Sequence, residues 1–314
     1  MANITSRPAA SSFSGNLNGT LSTSGRSLLD AITASTIWGT TSLQYHVGVT
    51  GAEAWDTEFG TSYNPRYSGP ADATNAFATE IRAAFRGIDA VVSLDFGELT
   101  STSSAQASAE FILVSSDDSI SATLEGFHQF PGSALRAAGD YWSIGAFTSD
   151  LSAMTASPET GGSQYANWTV IHEIGHGLGL LHPHQEVSGI PPLTEVGAAL
   201  NNERYTVMSY NGATNANTYG HALTPMVLDI AALQAIYGTE SANTSNTSSY
   251  TLLDAQQRAL RTNSNDVEIG RAYYAIWDSA GNADTIDYAG TANSVLINLN
   301  DGTLNRVRGA RIVD

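Results

Sequence analysis

The chain has 314 residues, a formal net charge of -17 and no cysteine. Its length lets it bury a core without covalent staples, and the missing thiols exclude disulfides, a cysteine nucleophile and thiolate metal ligands. All 13 basic residues are arginine, and so acidic a surface opposes the phosphate neutralisation on which nucleic-acid binding rests, so no nucleic-acid partner is expected.

Met1-Ala-Asn-Ile-Thr-Ser-Arg carries no basic region followed by an apolar run, which predicts no N-terminal signal peptide. No stretch reaches the roughly eighteen apolar residues of a membrane span. Residues 1–25 are rich in Ser, Gly, Asn and Thr and read as a flexible leader or pro-segment. A short helical pattern begins at Ser27, and Ser42–Val47 alternates as a strand. Gly60–Pro70 reads as a loop. From Ala71 to Arg86, Phe77, Ile81, Ala84 and Phe85 recur at helical spacing. Val91–Phe96 and Ala109–Val114 read as strands, and Tyr141–Phe147 as a further strand near an edge. Tyr165–Leu181 and Pro225–Tyr237 read as helices, the second with proline in its first turn. The run Thr239–Thr247 has linker composition, placing a domain boundary at 240/241 before an Asn-, Asp- and Gly-rich tail with strand-like pieces such as Val295–Leu299.

Chemistry concentrates in an eleven-residue window, His172 to His182. His172 and His176, four apart on a helix, point from one face and can share a zinc ion. Glu173 lies beside that face, placed to act as a general base toward a metal-activated water. On a straight helix His182 would lie about 15 Å from His172 along the axis, so the chain must turn back. Gly179 stands where a left-handed residue ends the helix and brings His182 to the metal.

His172-Glu173-Ile174-Gly175-His176-Gly177-Leu178-Gly179-Leu180-Leu181-His182-Pro183 resembles the zinc signature of the serralysins, bacterial metzincins. Tyr205-Thr206-Val207-Met208-Ser209-Tyr210 resembles the Met-turn of the same family. Trp38-Gly39, Thr224-Pro225-Met226, Asp229–Gln234, Tyr237-Gly238 and Ile297–Asn300 extend the likeness, whereas residues 100–140 match loosely. The resemblance implies an α+β metzincin fold with a twisted, mainly parallel sheet and packed helices over residues 26–240. It implies the start of a β-roll-type all-β domain over 241–314. Met208 would lie beneath the zinc, and Tyr210 would be the tyrosine that can ligate zinc and swing away to steady the transition state.

In the tail, Asp278-Ser279-Ala280-Gly281-Asn282-Ala283-Asp284 resembles the family's first calcium-binding stretch but is one residue longer; Asp278, Gly281 and Asp284 are the implied ligands of a structural calcium. No Gly-Gly-x-Gly-x-Asp nonapeptide repeats occur up to Asp314, so the expectation is a chain cut before them. The family's route implies secretion from a Gram-negative bacterium by a type I exporter without a signal peptide. His184 stands where the family usually has glycine and reads as an exposed loop residue. His46, His128 and His221 lack a ligand at useful spacing and read as ordinary hydrogen-bonded histidines.

The implied activity is zinc-dependent endopeptidase (metalloendopeptidase) cleavage of extracellular or cell-surface proteins by a monomer. Substrate would bind extended, with Trp142–Phe147 as the candidate edge. Two alternatives stand beside it. One is a binding module using the fold without turnover, which should have lost Glu173 or a histidine. The other is a calcium-binding surface or adhesion protein, which leaves the zinc motif unexplained.

Overall fold

A computed structural model describes residues 4–6, 28–48, 76–115, 124–135, 141–148, 161–187, 190–212, 221–240, 249–253, 266–268, 273–277, 284–288 and 310–313. The chain divides into two compact units, one of Met1–Pro8, Thr33–Asp89 and Leu94–Leu181, the other of Ala9–Ile32, Ala90–Ser93 and His182–Asp314.

In the first unit β1 (Ile4–Ser6), inside the segment read as a leader, pairs antiparallel with β2 (Thr36–Trp38). The main sheet is built from β3 (Ser42–Val47), β4 (Asp95–Glu98), β5 (Phe111–Ser115), β6 (Gly126–His128), β7 (Ala134–Leu135) and β8 (Tyr141–Phe147). Its order is β4-β3-β5-β8-β6. The first four strands run parallel, and β6 returns antiparallel to β8. Such a parallel core is covered on both faces, which is why β5 is an unbroken apolar run whose residues Phe111–Val114 are all buried.

Alternate residues of β5 serve alternate faces. Phe111 packs against Trp38, at 5.7 Å between ring centroids, and Phe85, at 5.8 Å. Phe85 lies on α1 (Ala76–Asp89), whose Ala78, Ile81, Ala84, Phe85 and Ile88 form a buried stripe. Ile112 and Val114 face the other way, into a cluster with Ala105, Ala109, Trp142, Ile144 and Ala146. Ala105 belongs to α2 (Thr102–Ser108), a helix the hydrophobic pattern does not announce: it buries one residue and is started by Ser101, whose Oγ accepts the Ser104 N–H at 3.2 Å.

Two sequence expectations are corrected here. Tyr141–Phe147 is a strand but not an edge, because β5 bonds one side of it and β6 and β7 the other. Among the described residues the edge beyond it is β6. Val91–Phe96 is not one strand either. Val92 bridges to Thr239 and the Ser93 N–H bonds the Gly238 carbonyl at 3.0 Å, so only Asp95 onward joins the sheet.

The helix carrying the zinc motif, α3 (Gly161–Gly177), completes the first unit. The second contains a short 3-10 turn at Asp30–Ile32, α4 (Leu193–Val196) and the apolar α5 (Val227–Tyr237). Its tail holds β9 (Ser249–Leu253), β10 (Asp266–Glu268), β11 (Tyr274–Trp277), β12 (Thr285–Tyr288) and β13 (Ala310–Val313). There β9 pairs parallel with both β10 and β12, and β11 pairs antiparallel with β13. Asp278, Gly281, Val295–Leu299 and the loop Gly60–Pro70 lie outside the described residues; Asp284 is exposed just ahead of β12. Among the described residues no helix is long and apolar enough to cross a membrane.

Candidate metal and catalytic site

The zinc-motif helix stops four residues before the sequence pattern ends, and the stop is a two-bond C-cap. The Leu180 N–H donates to Gly175 O at 2.8 Å and the Gly179 N–H to His176 O at 2.9 Å, with Gly179 at φ +96°. This is the Schellman arrangement, which needs a residue free of a Cβ penalty at the left-handed position. Neighbouring segments hold the turn: the Trp38 indole N–H donates to Gly177 O at 2.8 Å, and the Ala34 N–H to Gly179 O at 2.7 Å.

Past that turn His182 comes to His172 and His176; ring nitrogens of the three lie within 4.8 Å of one another. The His176 Nδ1 is 2.8 Å from Leu180 O, so Nδ1 carries the proton and Nε2 keeps its lone pair for a metal. Trp168 packs edge-on to His172 and Phe130 edge-on to His176, which limits ring rotation. His172 and His176 are buried and His182 is partly exposed. Three imidazole nitrogens with one open side match the donor set of a catalytic zinc, so the residues fit that ion.

Glu173, next to His172 in sequence, is buried, and loss of solvent pushes its pKa up to about 8, partly offset by a hydrogen bond from the His128 backbone N–H. Strand β6 therefore lies against the candidate base. A Cβ on Gly126 would meet Glu173 Cγ at 3.3 Å.

Tyr210 is 62% exposed, and its hydroxyl lies 2.6 Å from His182 Nε2. It stands beside the atom that would face the metal. Met208 is fully buried two residues earlier, in a turn held by a carboxylate that sequence reading assigned no role. Asp229, in the first turn of α5, accepts from Thr206 Oγ1 at 2.6 Å and from the Val207 and Met226 N–H groups at 2.8 Å each. Burial raises its pKa to about 6, against the lowering effect of those bonds. The signal available in the sequence was an acidic residue three positions into an otherwise apolar helix.

The remaining histidines are hydrogen-bonded as expected. His46 Nδ1 lies 2.6 Å from Leu99 O, His128 Nδ1 2.8 Å from Gln129 O, and His221 Nδ1 3.0 Å from a Glu203 carboxylate oxygen. His184 is exposed.

A mainly parallel sheet with one antiparallel strand, a His-Glu-x-x-His helix ended by a glycine turn, a third histidine and a buried Met-turn together fit the α+β metzincin fold. Residues 55–206 match the matrixin family of peptidases, Peptidase_M10. The chain is 36% identical over 160 residues to serralysin C of Dickeya chrysanthemi, covering 49% of this chain and 32% of that protein. It is likewise 36% identical over 163 residues to serralysin of Proteus mirabilis, covering 49% and 31%. Serralysin B of Dickeya chrysanthemi matches over a longer stretch, 26% identical over 251 residues, covering 78% and 50%. The chain thus spans about a third to a half of the length of these curated relatives. Over the matched stretch the chain is similar to the serralysins, which supports a serralysin-type metzincin metalloprotease.

Proposed function

We propose that the protein is a zinc-dependent endopeptidase that hydrolyses peptide bonds of extracellular or cell-surface proteins. The observation that carries this reading is the convergence of three histidine nitrogens, with a buried glutamate next in sequence to the first of them. His172, His176 and His182 would hold the zinc, which when bound lowers the pKa of a water to around neutrality and polarises a carbonyl. Glu173 takes a proton from the attacking water on a carboxylate oxygen and returns it to the leaving amine nitrogen. The Tyr210 hydroxyl donates to the developing oxyanion, a contribution of about 3 kcal/mol for donors of this kind. Met208 fills the buried turn below. An extended substrate adds to β6, whose backbone runs beside Glu173.

In the same proposal residues 26–240 form the catalytic domain, with 1–25 a leader ahead of it and 241–314 the start of a calcium-binding β-roll. The parallel pairing of β9 with β10 and β12 supports the roll. Asp278, Gly281 and Asp284 are the proposed calcium ligands. By likeness to serralysins the protein is secreted through a type I exporter without a signal peptide, and acts as a monomer.

The test is hydrolysis of a denatured protein by the wild type and by Glu173→Ala, each with and without a chelator and with and without residues 1–25. Wild-type cleavage abolished by the chelator and by Glu173→Ala is the expected result. Cleavage retained by Glu173→Ala overturns the mechanism.

A further inference from the structure

His184 lies two positions beyond His182, and its position is built rather than incidental. His182, Pro183, His184 and Gln185 form a turn closed twice. The Gln185 N–H donates to His182 O at 3.0 Å, and the His182 N–H donates to Gln185 Oε1 at 2.7 Å. Pro183 at the second position presets the turn, and its carbonyl is held by the Thr194 N–H at 3.0 Å. The turn thereby sets the exposed His184 ring parallel to that of His182, 8° apart with centroids at 5.1 Å.

Tyr210 completes a cluster of three rings, its centroid 4.6 Å from His182 and 5.6 Å from His184. The Tyr210 side chain is 62% exposed, and glycine at position 184 would offer it no ring to pack against. Offset and tilted ring pairs at these separations are attractive beyond the area they bury.

We propose that His184 is a positioning residue that seats the Tyr210 ring beside His182. The tyrosine then returns to one resting place from which its hydroxyl can reach the reacting carbonyl. This deepens the peptidase reading and rests on it for its catalytic consequence. What His184 supplies is a flat ring, so its nitrogens are dispensable and phenylalanine serves as well.

Two measurements test it on His184→Gly and His184→Phe. In metal-free protein carrying 3-fluorotyrosine, the ¹⁹F resonance of Tyr210 is assigned by its loss in Tyr210→Phe. His184→Gly moves that resonance toward the position of free fluorotyrosine, and His184→Phe keeps it displaced. With zinc bound, His184→Gly lowers kcat by about three- to ten-fold with KM within about two-fold, His184→Phe restores it, and neither substitution has an effect in the Y210F background. An unmoved resonance in His184→Gly, a kcat loss that persists in the Y210F background, or a change in KM alone overturns the proposal. If the zinc-loaded wild type hydrolyses no peptide, the peptidase reading fails, while the metal-free resonance still decides whether His184 seats Tyr210.

Discussion

The indole N–H of Trp38 reaches across 139 positions of sequence to the carbonyl of Gly177, at 2.8 Å in a buried setting. That carbonyl is in the last turn of α3, where helical partners have run out. Strand β2 thus supplies a bond the helix end lacks, one residue beyond His176. Trp38→Phe keeps most of the apolar volume and leaves Gly177 O unpaired, so it should cost about 1–2 kcal/mol in urea unfolding. Zinc affinity, read by chelator competition, should fall with it. Unchanged values for both would show that the contact does not fix the turn.

Gly179→Ala separates space from conformation. A Cβ there would meet Ile37 Cγ2 and Thr36 O at 3.4 Å, ordinary contact, so crowding is not the obstacle. The obstacle is φ +96°, which an L side chain resists at a cost of about 1–2 kcal/mol. Unfolding stability should drop by that amount and zinc binding should weaken, because the same turn delivers His182.

Asp229 serves the Met-turn through three accepted hydrogen bonds, all buried. Asp229→Ala leaves two N–H groups and a hydroxyl without their acceptor and should destabilise the protein by about 2–4 kcal/mol. Asp229→Asn retains a carbonyl for the two N–H groups and should cost less than half as much. Thermal and urea unfolding of the two variants side by side check the order.

Burial pushes the His128 pKa down to about 4, so the folded state resists a proton that the unfolded chain accepts near pH 6.5. More protons bound in the unfolded state mean that stability rises with pH, and this contribution is lost as pH falls from about 6.5 toward 4. Between pH 7 and pH 5 the loss from His128 should be about 2 kcal/mol. Asp229 acts oppositely, since its folded pKa is raised to about 6 and its protonation in the folded state gains stability as pH falls. The difference between metal-free wild type and His128→Asn cancels that second effect. The variant should show the flatter pH dependence, and parallel curves would contradict the assignment.

The three-histidine cluster was legible in the sequence because its geometry is local: four-residue helical spacing and one glycine turn bring the imidazoles together. Long-range features were not. The Asp229 clamp joins positions 22 and 23 residues apart, and nothing around Thr206 or Val207 marks them as its partners. Edge status was misread at Tyr141–Phe147 because it depends on β6, a three-residue strand too short to show an alternating pattern. Helix Thr102–Ser108 escaped notice because serine and threonine dominate it and only Ala105 is buried. Val91–Ser93 look like strand yet bond to Gly238 and Thr239, a choice made by tertiary packing rather than by propensity.

The most direct test of the zinc-peptidase account is a titration of zinc into metal-free protein, with cleavage of a denatured protein substrate as the readout. Activity should rise linearly and break at one zinc per chain for the wild type, while Glu173→Gln binds the same single equivalent and cleaves nothing. Absence of cleavage by the wild type at every zinc ratio, or cleavage by Glu173→Gln, would contradict it.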